Sequence, residues 1–113
     1  MKTIEAVTAL GALAHESRLG VYRLLVQAGL EGMPAGVIAD KLGLPPPTLS
    51  FHLKELSRAG LAESRHEGRY VIYSANFGNA LQLVNFLTEN CCGGHSCLPE
   101  CAPAAAITEG AKT

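Results

Sequence analysis

The chain has 113 residues, 48% of them hydrophobic, 5% aromatic, with a formal net charge of −1. That length supports one domain with a modest core, and no apolar run is long enough to span a membrane. The N-terminus lacks a signal-peptide pattern, so a cytoplasmic protein with no membrane partner is expected.

Thr3 is placed to cap a first helix that carries Ile4, Val7 and Leu10 at i, i+3 and i+6. The run from Leu13 to Leu19 interrupts that pattern. Ser17 is the expected cap of a second helix bearing Leu19, Tyr22, Leu25 and Val26 and ending before Gly29. His15, lone and flanked by polar residues, reads as a surface or packing residue rather than a ligand.

The stretch from Pro34 to Gly60 holds two short helical patterns that meet at Gly43-Leu44-Pro45. Val37, Ile38 and Leu42 share one face of the first, and Gly43 stops it. Pro45, Pro46 and Pro47 suit the first turn of the second helix, Leu49, Leu53 and Leu56 form its apolar stripe, and Gly60 ends it. A short helix, a tight turn with glycine and a second amphipathic helix make a helix-turn-helix. At 100° per residue, Pro47, Phe51, Lys54 and Arg58 point away from the leucines, with Thr48, Ser50 and Glu55 on the flanks. Small polar residues early in such a helix reach base edges or phosphates, and later cations bind phosphates. An ordinary solvated helix of an all-α core would show the same pattern.

After Gly60 the period changes from 3.6 to 2. Residues 61–66 and 69–74 are strand candidates joined across Glu67-Gly68, with Arg65, His66 and Arg69 around the tip. A hairpin directly after a helix-turn-helix is a wing, placed to meet phosphates or a minor groove. The charge division agrees with this. Residues 1–44 are balanced, four basic groups against four acidic. Residues 45–75 hold Lys54, Arg58, Arg65 and Arg69 against Glu55, Glu63 and Glu67, and residues 76–113 hold Lys112 against Glu89, Glu100 and Glu109. The only positive segment is therefore the reading head, and two copies in a dimer would double it.

A last helix is expected from Asn76 or Asn79 to Asn90. Phe77, Ala80, Leu81, Val84 and Leu87 form one apolar face, and Leu83 and Phe86 lie nearly opposite. A helix apolar on two faces is buried on two sides. In so small a chain the second partner is another subunit, so the expected dimer interface is Ile4, Val7 and Leu10 with Leu83 and Phe86. The fold class is mainly α with a β-hairpin wing (α+β), a homodimeric winged helix-turn-helix.

Four cysteines lie between Cys91 and Cys101. Such clustering suits a metal or redox site better than a disulfide scaffold. No C-x-x-C beside a βαβ pattern and no phosphate-cradling glycine loop points to an enzyme or an organic cofactor. The organisation expected is a winged-helix and dimerisation domain over 1–92, a Cys-rich inducer segment over 91–101 and a disordered tail over 102–113.

Several blocks together resemble the ArsR/SmtB family of metal-sensing repressors. They are Leu13-Ala-His-Glu-Ser-Arg-Leu19, Ile38-Ala-Asp-Lys-Leu-Gly43, Thr48-Leu-Ser-Phe-His-Leu-Lys-Glu-Leu-Ser-Arg-Ala-Gly-Leu61 and Gly68-Arg-Tyr-Val-Ile-Tyr73. The similarity covers roughly residues 4 to 92. It implies a homodimer that represses a resistance operon and leaves operator DNA when metal binds. It puts Thr48, Ser50, Phe51, His52 and Lys54 in the reading helix and Arg65 and Arg69 in the wing. Phe51 stands where many members have His, which implies an apolar base contact, as to a thymine methyl.

Two known sensing sites of the family are absent. The first helix of the helix-turn-helix, Ala35-Gly-Val-Ile-Ala-Asp40, has no Cys, and the last helix has no His or Asp. What remains is Cys91-Cys92-Gly-Gly-His-Ser-Cys97, which resembles the arsenic-responsive subgroup with a vicinal Cys pair and a third Cys just beyond. Arsenic(III) as inducer fits the donors. Arsenite is soft and takes three thiolates in a pyramid, and Gly93-Gly94 would let Cys97 fold back. A four-ligand zinc or cadmium site adding His95 or Cys101, and a redox disulfide, are the alternatives.

Overall fold

The computed structural model describes residues 1–94, so His95, Cys97, Cys101 and the expected tail lie outside the described residues. Contacts divide the chain into two units, Met1–Leu83 and Val84 onward.

The first unit begins with α1, Thr3–Leu13. Its N-terminus is closed by Glu5, whose Oε1 accepts from the Lys2 amide at 2.9 Å, so the cap is one residue earlier than Thr3. Helix α2, Glu16–Ala28, starts at His15 rather than Ser17, because His15 Nδ1 accepts from the Arg18 amide at 3.4 Å. A 3₁₀ turn, Gly29–Glu31, leads into a two-residue strand β1, Met33–Pro34, which sequence periodicity did not reveal. Then come α3, Ala35–Leu42, ended by Gly43, and α4, Pro46–Arg58, with Pro46 and Pro47 in its first turn.

The wing is β2, Ala62–Glu67, and β3, Tyr70–Ala75, paired antiparallel with Glu67 opposite Tyr70. Its tip is Gly68-Arg69, one residue later than the expected Glu67-Gly68. Strand β1 pairs with the other edge of β3, Met33 opposite Tyr73, giving the order β1-β3-β2. Gly32 makes that third strand possible. Its φ is 73°, and a Cβ there would collide with the Tyr73 carbonyl oxygen.

The core is built from Val21 and Leu25 of α2, Ile38 of α3, Leu49, Leu53 and Leu56 of α4, Leu61 just before β2 and Ile72 of β3. Helix α1 buries an alanine stripe, Ala6, Ala9 and Ala12, and leaves its large residues outside, Ile4 being 67% exposed. Alanines allow close helix packing within the chain, while Ile4, Val7 and Leu10 remain available to a partner.

Helix α5 covers Phe77–Thr88 and crosses the division between the units. Asn76 caps it, its Oδ1 accepting from the Asn79 amide at 3.1 Å. The expected assignment of its two faces is reversed for Leu83, which is 6% exposed and therefore core, whereas Leu81, Val84 and Leu87 are exposed. Phe86 is half-buried. The second unit contains the end of α5 and a short helical turn α6, Cys91–Gly94. The last helix thus stops at Thr88 instead of running to Asn90. Asn90 takes a left-handed φ of 58°, so Cys91 opens a new turn and does not sit at the C-terminus of α5.

Candidate nucleic-acid interface and cysteine segment

Helix α4 buries Leu49, His52, Leu53 and Leu56 at i, i+3, i+4 and i+7. Pro47, Thr48, Ser50, Phe51 and Lys54 are exposed, as the outward face requires. His52 is not part of that face. It completes the inner stripe, is 5% exposed and accepts from Arg18 Nε at Nδ1 over 3.5 Å. Its ring lies 5.0 Å from that of His15. Burial lowers its pKa below the ordinary value, and the nearby His15 and Arg18 lower it further. His52 therefore packs α4 against α2 and is turned away from the exposed face of the helix.

Four cations were expected to meet phosphates, and the structure separates them. Lys54 and Arg69 make no ion pair among the described residues. Arg58 pairs with Glu55 at 2.8 Å and borders a hollow of about 330 Å³ shared with Ile4, Glu5 and Thr8 of α1 and Asn79 and Gln82 of α5. It therefore turns to the α1 side of α4. Arg65 donates from Nε to Glu67 at 2.7 Å and from Nη2 to the Glu31 carbonyl at 2.6 Å, so the wing uses it to anchor the preceding 3₁₀ turn. Of the four, Lys54 on α4 and Arg69 at the wing tip are the ones outside any ion pair among the described residues.

Three features were not found from sequence. Tyr70 is an exposed aromatic at the start of β3, next to the wing tip, bordering an apolar hollow of about 570 Å³ with Val37, Pro46 and Ser50. Arg18 lies over the face of Phe51, 5.8 Å from the ring centroid. Asn79 donates from Nδ2 to the Gly60 carbonyl at 2.8 Å, joining α5 to the end of α4. Only the first could have been read from the sequence, as an aromatic at the first position of β3 directly after the wing turn.

Of the expected inducer ligands, Cys91 is half-buried in α6 and Cys92 is its neighbour on the same turn. Cys97, Cys101 and His95 lie outside the described residues. Among the described residues no group of three metal-ligating side chains is brought together.

The Helix-turn-helix domain family matches residues 13–65. The chain is 31% identical over 80 residues to the nodulation protein NolR of Rhizobium meliloti, covering 71% of this chain and 63% of NolR. The biofilm growth-associated repressor of Xylella fastidiosa is 31% identical over 83 residues, covering 74% of this chain and 70% of the repressor. Among solved structures, a similar one is the homodimeric winged helix-turn-helix DNA-binding domain of a possible ArsR-family transcriptional regulator from Mycobacterium bovis. It matches with a TM-score of 0.60 at 28% identity over 80% of this chain and 84% of that one. Fold, wing and relatives agree that the chain belongs to the ArsR/SmtB family of winged helix-turn-helix DNA-binding transcriptional regulators.

Proposed function

We propose that the chain is a cytoplasmic, dimeric repressor of an arsenic-resistance operon, released from operator DNA when trivalent arsenic is bound by Cys91, Cys92 and Cys97. The observation that carries the proposal is the vicinal Cys91-Cys92 pair on one short turn directly after the end of α5. Gly93 follows with a φ of 69°, a reversal that favours the return of the chain toward the pair. Repression is supported by the Xylella relative, itself named a repressor. Dimerisation is supported by the exposed Ile4, Val7 and Leu10 on α1 and by Leu81, Val84 and Leu87 on α5.

Neutral arsenous acid condenses with three thiols, forming three As–S bonds and releasing three waters. Charge hardly changes in that reaction, so electrostatic repulsion of DNA is not the switch. Closing Cys97 onto Cys91 and Cys92 instead reorders the turn at Glu89–Asn90 and biases the spacing of the two reading heads. Such coupling is reciprocal, and operator DNA must weaken arsenite binding by the same factor.

The test is fluorescence anisotropy of a purified protein–operator complex titrated with arsenite, methylarsenite, antimonite, zinc, cadmium and peroxide. Release by arsenite or antimonite at micromolar concentration is expected. Release by zinc or cadmium alone would assign a four-ligand site, and release by peroxide alone a thiol redox switch.

A further inference from the structure

Two residues at the start of α2, the cap His15 and Arg18 in the first turn, lie against α4 and do different work. His15 caps α2 through Nδ1 and lies 5.0 Å from the ring of His52. Arg18 divides its guanidinium between two consecutive residues of the reading helix. Its Nε donates to His52 Nδ1 at 3.5 Å, and its Cζ lies 5.8 Å from the centroid of Phe51. Those two residues point in different directions, His52 inward at 5% exposed and Phe51 outward at 53%. A planar cation that touches both fixes the rotation of α4 and the placement of the Phe51 ring together. The Phe51 ring is 5.9 Å from that of His52, and no other aromatic contact involves it among the described residues.

We propose that Arg18 is a positioning residue for sequence recognition, clamping Phe51 against the base of the reading helix so that the ring meets one base pair in a single orientation. The proposal rests on α4 being the groove-facing helix and Phe51 a base contact. The charged groups around Arg18 favour this role over direct phosphate binding. Arg18 borders a hollow of about 250 Å³ with Thr8 and Gly11 of α1 and Glu55 and Arg58 of α4. Glu55 and Arg58 are already paired there. Arg18 thus sits in a crowded, partly covered corner, whereas Lys54 is fully available on the outer face. A guanidinium fixed by an imidazole and a ring transmits orientation; a phosphate contact would need it to extend away from both.

A double-variant experiment separates the alternatives. A duplex is selected from a random library with the wild-type protein. Its affinity, and that of every single-base variant, is measured at several salt concentrations for wild type, Phe51→Ala, Arg18→Gln, Arg18→Lys and Arg18→Gln/Phe51→Ala. Phe51→Ala should flatten preference at one base pair, by about five- to hundred-fold. Arg18→Gln should flatten preference at that same base pair by at least about threefold, with no change in salt slope, and the double variant should lose no more than Phe51→Ala alone. Arg18→Lys keeps the charge but not the plane, so it should also lose the preference. It provides the same test if Arg18→Gln does not fold.

Preference retained in both Arg18 variants but lost in Phe51→Ala would overturn the inference. So would a uniform loss over all sequences in Arg18→Gln with a salt slope reduced by about 1, rescued by Lys, because that is a phosphate contact. Unchanged preference in Phe51→Ala would instead refute the groove-facing assignment itself.

Discussion

Removing the Asn79 side chain tests how α5 is joined to the end of the reading helix. Asn79 Nδ2 donates to the Gly60 carbonyl at 2.8 Å. The site is half-buried, and losing one partner of such a bond costs about 1 kcal/mol. Asn79→Ala should therefore lower stability by that amount, about 4 °C in Tm for a chain of this size. Gly60 has a φ of 79°, and a Cβ built on it would stand 2.7 Å from Asn79 Nδ2. Gly60→Ala must accept left-handed strain of about 1 kcal/mol. It must also push the Asn79 amide away, losing the same hydrogen bond, for about 2 kcal/mol in all. Once Asn79 is alanine the obstruction is gone and only the strain remains. The double variant should then lie about 2 kcal/mol below wild type, not the 3 kcal/mol that simple addition gives. Urea unfolding followed by circular dichroism measures all three. Strict additivity, or a double variant less stable than the sum, would show that Asn79 and Gly60 do not meet as described.

Other outcomes follow from the same geometry. Lys54→Ala should weaken DNA binding across all sequences and reduce the salt slope by about 1, whereas Arg65→Ala should change the slope little and destabilise the wing, since Arg65 is held by Glu67 and the Glu31 carbonyl. His52 has a folded-state pKa below the ordinary 6.5, so the folded protein binds the proton less well than the unfolded chain. Its stabilising contribution is complete above pH 6.5 and is lost as pH falls through the folded value; Tm in His52→Gln should depend less on pH in that range, and an unchanged dependence would remove the assignment. Val7→Glu should shift sedimentation toward monomer, because Val7 lies on the exposed apolar side of α1. An unchanged dimer would place the interface elsewhere.

The helix-turn-helix was legible because its signals are local. Gly43, the three prolines and the Leu49, Leu53, Leu56 spacing each mark a boundary or a face independently of the rest of the chain. The wing was legible to within one residue, since a two-residue loop leaves little room for error. Strand β1 was not, because two residues have no period; it exists through the close approach of Gly32 to β3. His52 was misplaced for a different reason. At i+3 from Leu49 it lies on the buried stripe, but a polar side chain gives no sign of burial until its partner Arg18, 34 residues away in sequence, is known. Arg58 and Arg65 were counted as cations facing DNA because charge is readable from sequence and pairing is not. Leu83 and Leu81 exchanged roles because both faces of α5 are apolar, and only packing against the rest of the first unit distinguishes them.

The central claim is that thiols at and beyond Cys91 convert arsenic binding into release of DNA. It is tested most directly by titrating operator complexes of four single variants with arsenite and methylarsenite. Cys91→Ser and Cys92→Ser should repress normally and ignore both arsenicals. Cys97→Ser should ignore arsenite but still respond to methylarsenite, which has one position filled by its methyl group and needs only two thiols. Cys101→Ser should respond like wild type if three thiols complete the site. Normal release of the Cys92→Ser protein by arsenite would contradict the account outright.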